Sequence, residues 1–203
     1  LNLNARQRPT YENGNKEIAR EKIEKYVSEL EKRVPEYIFG REKDTVAMAV
    51  QRLFQSEGLT LSVAESCTGG LIAHEITAIP GSSAHFMGSM VTYSNEAKMT
   101  ILGVKEQSLI DHGAVSEQVA KEMAEGVRKK LRTDYSIATS GIAGPDGGTE
   151  EKPVGTVWVA ISGANKTFTK RLNLGKSRSR NIRISMLSAL NWLRQEIISG
   201  SFD

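Results

Sequence analysis

A strand that runs straight into a serine and two glycines constrains this chain more than any other stretch. Leu59-Thr60-Leu61-Ser62-Val63 is β-rich and alternates apolar with polar residues, and Ala64-Glu65-Ser66-Cys67-Thr68-Gly69-Gly70 follows at once. Leu71, Ile72, Glu75 and Ile76 then recur at helical spacing, which predicts a helix from about Thr68 to Thr77. Ser66 is therefore expected on a turn between a strand and a helix. The first turn of a helix carries unpaired N–H groups and the positive end of the macrodipole. A hydroxyl held there has donors nearby for an oxyanion or a phosphate. Gly69 and Gly70 lack a Cβ and let a ligand approach the backbone. Read alone, the same serine and threonine serve equally well as helix caps.

The rest of the chain supplies the frame. Residues 1–15 are polar and turn-rich and read as a tail or linker. Ile18, Ile23, Tyr26, Val27 and Leu30 form an apolar stripe on an amphipathic helix over 16–34, stopped by Pro35. Tyr37 to Gly40 is a short extended link. Asp44 or Thr45 caps a helix bearing Val46, Ala49, Val50, Leu53 and Phe54, and Gly58 ends it. Strands are expected at 86–93 (with Gly88 as a bulge), 135–139, 154–162 and 166–172, the last two joined as a hairpin at Gly163-Ala164-Asn165. Helices are expected at 95–102, 108–112, 116–131 and 179–198. Alternating helices and strands followed by a hairpin predict an α/β domain, a three-layer α/β/α arrangement with a mixed sheet. The expected division is a helical appendage at 1–40 and the main domain at 41–203.

Several classes of function fall away. No apolar run approaches the ~20 residues of a membrane span, and the first residues are polar and charged, unlike a signal peptide. Cys67 is the single cysteine, which excludes an internal disulfide and fits a reducing, cytoplasmic setting. With His74, His85 and His112 it forms no metal-ligand spacing, so neither a metal nor another cofactor is expected. A net charge of +3 and an aromatic content of 6% argue against nucleic acid.

Three loop regions converge on the strand ends where α/β sheets place their sites. The first is the Ser66 turn. The second is Tyr93-Ser94-Asn95-Glu96-Ala97-Lys98. The third is Ser140-Gly141-Ile142-Ala143-Gly144-Pro145-Asp146-Gly147-Gly148, whose glycines suggest a loop shaped for backbone contact with a ligand. A serine hydroxyl needs a base at neutral pH, and none of these stretches holds a histidine. Lys98 is the substitute if burial leaves it neutral. Tyr93 can relay a proton or position the base. Cys67 is the rival nucleophile. Either Arg178 or Arg180, before the final helix, can hold a phosphate. Each has a plainer reading: a surface lysine, a strand-end tyrosine, a packed cysteine and an exposed basic turn.

Together, ESCTGG at 65–70, VTYSNEAK at 91–98, HGAVS at 112–116, SGIAGPDGG at 140–148 and KPVGTVW at 152–158 resemble the C-terminal domain of the CinA (competence/damage-inducible) family. That domain also stands alone as a nicotinamide-nucleotide amidase. The resemblance covers about 43–203 and implies hydrolysis of the carboxamide of nicotinamide mononucleotide to nicotinic acid mononucleotide and ammonia. It implies Ser66, Tyr93 and Lys98 as catalytic residues. It also implies substrate contacts from Thr68, Gly69, Gly70, Asn95, Ser140, Gly141, Ile142, Ala143 and Gly144, with Arg178 on the phosphate. The segment after Gly175 departs from the family's usual Gly-Asp-Arg. By the same resemblance, residues 1–40 look like the end of a preceding middle domain, which fits a chain that begins at Leu1 rather than Met, and a dimer or higher homo-oligomer is expected. A nucleotide-sensing or protein-interaction module, and an amidase for another small amide, are the rival readings.

Overall fold

A computed structural model describes residues 16–34, 37–41 and 43–202. The tail at 1–15 and the stop at Pro35 lie outside the described residues. The elements are α1 (Lys16–Arg33), α2 (Val46–Glu57), β1 (Leu61–Glu65), α3 (Leu71–Thr77), β2 (Phe86–Val91), α4 (Asn95–Leu102), α5 (Glu106–His112), α6 (Glu117–Leu131), β3 (Tyr135–Gly141), β4 (Thr156–Ser162), β5 (Thr167–Asn173) and α7 (Arg178–Ile198).

The chain divides into two compact units, Leu1–Thr45 and Val46–Asp203. In the first, α1 buries none of its residues. The Arg41 guanidinium grips both carboxylate oxygens of Glu31, at 2.9 and 2.8 Å, and also reaches Glu24. This holds the Glu31 carboxyl below its ordinary value. Both partners are solvated, so the pairing contributes little stability.

The second unit carries the core. Its sheet runs in the order β2-β1-β3-β4-β5. β1 is parallel to β2 and β3, and β3–β4 and β4–β5 are antiparallel. α6 packs along one face of the sheet, with α4 and α5 on it, and α7, α3 and α2 cover the other. The mixed sheet between two helical layers is the expected α/β/α fold.

The strand that leads to Ser66, an interior strand of the sheet, differs from the alternating pattern expected of it. β1 begins two residues later than expected, ends at Glu65, and is buried along its whole length. Helices cover both its faces, so its polar residues need internal partners. The Ser62 hydroxyl has one in the Thr133 hydroxyl at 2.7 Å. In β2 the register shifts between Leu61↔Phe86 and Ser62↔Gly88, leaving Met87 as the extra residue of a bulge at the expected glycine.

The connections fix where a site can form. From β1 the chain leaves through α3 to β2 on one side. It returns through α4, α5 and α6, on the opposite face, to β3 on the other side. The connections therefore part at the carboxyl end of β1, the kind of place where α/β sheets put their ligand sites. Ser66 is the next residue.

Candidate active site

Two strands hold Ser66 in place. Its N–H donates to the Thr139 carbonyl of β3 at 3.0 Å, and the Glu65 carbonyl before it accepts from the Thr92 N–H beyond β2 at 2.9 Å. The turn 66–70 then leads into α3, which begins at Leu71, about one turn later than the spacing predicts. Gly69 and Gly70 have φ of +62° and +98°, and a side chain at either would be strained.

Lys98 comes from α4. The Ser94 hydroxyl caps this helix by accepting the Ala97 N–H at 3.1 Å, and Gly103, in the left-handed region, closes it. That short, well-stopped helix turns Lys98 inward, where it is 1% exposed. Its Nζ lies 3.2 Å from Ser66 Oγ, 2.9 Å from the Thr92 carbonyl and 3.4 Å from the Tyr93 carbonyl. No carboxylate pairs with it among the described residues. Burial without a counter-charge pushes its pKa below the ordinary lysine value. The plainer reading, a surface lysine, is overturned.

A neutral amine has two N–H donors and one lone pair. With those two donors on the two carbonyls, a neutral Lys98 would have its lone pair left for the Ser66 hydroxyl proton. This is the geometry of a serine with its general base.

The oxyanion donors are not where sequence reasoning puts them. The Glu65 carboxylate turns back and accepts the N–H groups of Gly70 (2.9 Å), Ile72 (3.1 Å) and Ala73 (3.0 Å). The Leu71 N–H donates to the Thr68 carbonyl and the Gly69 N–H to the Ser66 carbonyl. The start of α3 is therefore already satisfied, and the expectation that it would hold an oxyanion does not stand. The N–H groups of Cys67 and Thr68 donate to no backbone carbonyl among the described residues, and they follow Ser66 directly in the chain.

The other expected residues fall into groups. The Thr68 hydroxyl pairs with the Thr139 hydroxyl at 2.7 Å. The Ser140 hydroxyl, on β3, donates to the Ala114 carbonyl at 2.6 Å. Gly141 and Gly144 owe their missing Cβ to packing. A Cβ at Gly141 would sit 2.6 Å from Val157 Cγ2, and one at Gly144 2.5 Å from Val154 Cγ1. Ile142 is half-buried and joined to the same segment, its N–H donating to the Thr156 carbonyl at 2.8 Å. The Ala143 carbonyl accepts from the amide of Asn181 at 2.9 Å. Asn95 is exposed at the start of α4.

Tyr93 and Arg178 meet each other rather than the serine. Arg178 opens α7 and donates one N–H to the Gly144 carbonyl (2.9 Å) and another to the Tyr93 hydroxyl (3.1 Å). Tyr93 is 60% exposed, and it touches Lys98 only through its carbonyl. Arg180, the alternative to Arg178, is exposed and makes no such contact. Cys67 is buried, and burial, aided by the nearby Glu65 charge, pushes its thiol up to about 12. It is therefore a packed thiol and a poor nucleophile.

Sequence reasoning missed Glu65, the Thr92 carbonyl and Asn181. A charged residue at the end of a strand that must be buried was the available signal for Glu65. Nothing in the sequence marks a carbonyl acceptor or a buried amide.

Comparison with known proteins gives the family. A protein of Gloeobacter violaceus described as CinA-like is 49% identical over 163 residues, which is 79% of this chain and 38% of that protein. A CinA-like protein of Cytophaga hutchinsonii is 42% identical over 90% of this chain and 44% of its own length. The chain thus spans less than half the length of these relatives. Among solved structures, the competence/damage inducible protein CihA of Agrobacterium tumefaciens superposes with a TM-score of 0.73 at 39% identity. The match covers 77% of this chain and 96% of that one. A competence-damaged protein (CinA) superfamily protein of Escherichia coli gives a TM-score of 0.71 at 34% identity over 80% of this chain and 97% of its own. Residues 43–197 match the family described as the CinA C-terminal domain, and on these grounds the chain belongs to the CinA C-terminal domain family.

Proposed function

We propose that this domain hydrolyses the carboxamide of nicotinamide mononucleotide to nicotinic acid mononucleotide and ammonia, with Ser66 as nucleophile and Lys98 as its base. The observation that carries this reading is the 3.2 Å approach of a buried, unpaired lysine to the Ser66 hydroxyl. A module that only binds a nucleotide or a protein has no use for a lysine buried at a cost and aimed at a serine.

The neutral Lys98 amine takes the Ser66 proton as Oγ bonds to the carboxamide carbon. The oxyanion that forms is met by the Cys67 and Thr68 N–H groups. The C–N bond breaks as the Lys98 ammonium returns its proton to the leaving nitrogen, and ammonia departs. Water then adds to the acyl ester and gives Lys98 a proton. The Ser66–carbon bond breaks and Oγ takes that proton back. In this reading the nucleotide lies between Gly69, Gly70 and Asn95 on one side and the 140–144 segment on the other. Its phosphate engages Arg178 beside Tyr93. The family resemblance supplies the choice of nucleotide. The geometry supports the serine–lysine chemistry for an amide of any compatible shape.

Ammonia release from nicotinamide mononucleotide tests this directly. Ser66→Ala and Lys98→Met are each expected to lower the rate by about 10²–10⁴-fold while leaving the fold intact. Retention of full activity in Ser66→Ala would sink the mechanism.

A further inference from the structure

The geometry points to Glu65 as the positioning residue of the nucleophile, a carboxylate that aims Ser66 by tying down the turn that carries it. The inference rests on the serine–lysine reading above. Glu65 is wholly buried at the end of β1. Its two oxygens accept backbone N–H groups from three residues downstream of Ser66, all between 2.9 and 3.1 Å. The Ser89 hydroxyl of β2 also lies within reach, at 3.5 Å. A charged acceptor is the strongest kind available to backbone N–H groups.

Position makes this more than a helix cap. Ser66 lies between Glu65 and the Gly70 that Glu65 holds, so its own dihedrals are pinned at both ends. The main chain of Glu65 reaches the base as well. Its carbonyl accepts the Thr92 N–H, and the Thr92 carbonyl is the nearest acceptor of Lys98 Nζ. One residue therefore sets the hydroxyl through its side chain and the lysine through its backbone. With the start of α3 filled, the Cys67 and Thr68 N–H groups are the next donors in the chain after the hydroxyl, and no backbone carbonyl among the described residues takes them. An amide in place of the carboxylate keeps the size but turns an NH₂ toward N–H donors and loses at least one of these bonds.

The test separates this role from stability. A sulfonyl fluoride probe is incubated with the whole chain, and labelling of Ser66 is followed by mass spectrometry. Oγ bonds to sulfur, fluoride leaves, and Lys98 takes the proton. Glu65→Gln and Glu65→Asp are compared with the unsubstituted protein at a temperature where circular dichroism shows each to be folded. Nicotinamide mononucleotide hydrolysis is measured in parallel. A positioning role predicts labelling and kcat lowered at least 30-fold in Glu65→Gln, with KM within about twofold. Glu65→Asp, which keeps the charge, should recover part of the loss. If Glu65→Gln unfolds, Glu65→Asp carries the decision, with an expected loss of at least fivefold in labelling rate. Labelling of the folded variants within twofold of the unsubstituted rate would overturn the proposal. A failure of the amidase reading looks different. The unsubstituted protein would then leave Ser66 unlabelled, and the role of Glu65 would fall with it. Labelling without hydrolysis of this nucleotide would overturn the substrate alone, and the labelling rates would still decide the role of Glu65.

Discussion

In the proposed mechanism Lys98 ties the chemistry to pH. Its folded pKa lies below the ordinary value of about 10.4, so the neutral base is lost as pH falls. The kcat/KM of amide hydrolysis is expected to fall toward acid with a single-proton limb, and Lys98→Met should show no such limb in its residual rate. Stability has a matching sign. Between the folded and unfolded pKa values of Lys98 the unfolded chain holds the extra proton, so raising pH through that window favours the folded state. The stability difference between the native protein and Lys98→Met should therefore grow in favour of the native protein from neutral pH toward about pH 10, as urea melts can show. A flat difference would contradict the burial argument. His85 gives the acid counterpart. It is buried, both ring nitrogens lack a partner among the described residues, and burial lowers its pKa. The folded state keeps it neutral while the unfolded chain takes a proton below about pH 6.5, so stability should drop on acidification by up to ~1.4 kcal/mol per pH unit. His85→Leu should flatten that slope. At this scale the meeting of Ser66 and Lys98 was legible, because a serine read as a nucleophile needs a base and the sequence offers few. Glu65 was not, because a glutamate in a sequence reads as solvated until the strand holding it proves to be an interior one, buried along its whole length.

α4 reaches the site because α6 lets it approach. A Cβ at Gly126 would lie 2.1 Å from the Leu102 carbonyl at the end of α4. Helix propensity alone would favour alanine there by about 1 kcal/mol. The backbone clash outweighs it, at about 1–3 kcal/mol or more. Gly126→Ala is expected to lower the melting temperature by several degrees. It should also lower kcat more than the fraction unfolded explains, because α4 carries Lys98, and combined melting and rate measurements would check both. Element existence was largely legible: the amphipathic faces of α2, α6 and α7, the hairpin and the Gly88 bulge all follow from spacing and glycine placement. Boundaries around the site were less so. β1 and β3 each extend two residues past their expected ends, and α3 starts late, because pairing with neighbouring strands and the Glu65 cap decide those limits. Neither belongs to the local pattern.

The whole chain places its hydrophobic core within the second unit, from Val46 to Phe202. The α/β/α class was legible from the alternation of elements, whereas the strand order was not, since it depends on which helical layer each crossover joins. That order makes the pairing of β1 with β2 a ruler. Ser66 and Lys98 are separated in the chain by a helix, a loop and a strand, but in space by neighbouring strands in fixed register. Length changes in the stretch between α3 and β2 are erased before they reach the chemistry, because the strands re-zip in the same frame. A single residue added or removed between Gly88 and Thr92 is not erased and turns the base away from its serine. The same protein is thus forgiving of edits over one span and unforgiving a few residues later, and the boundary between the two lies at the bulge.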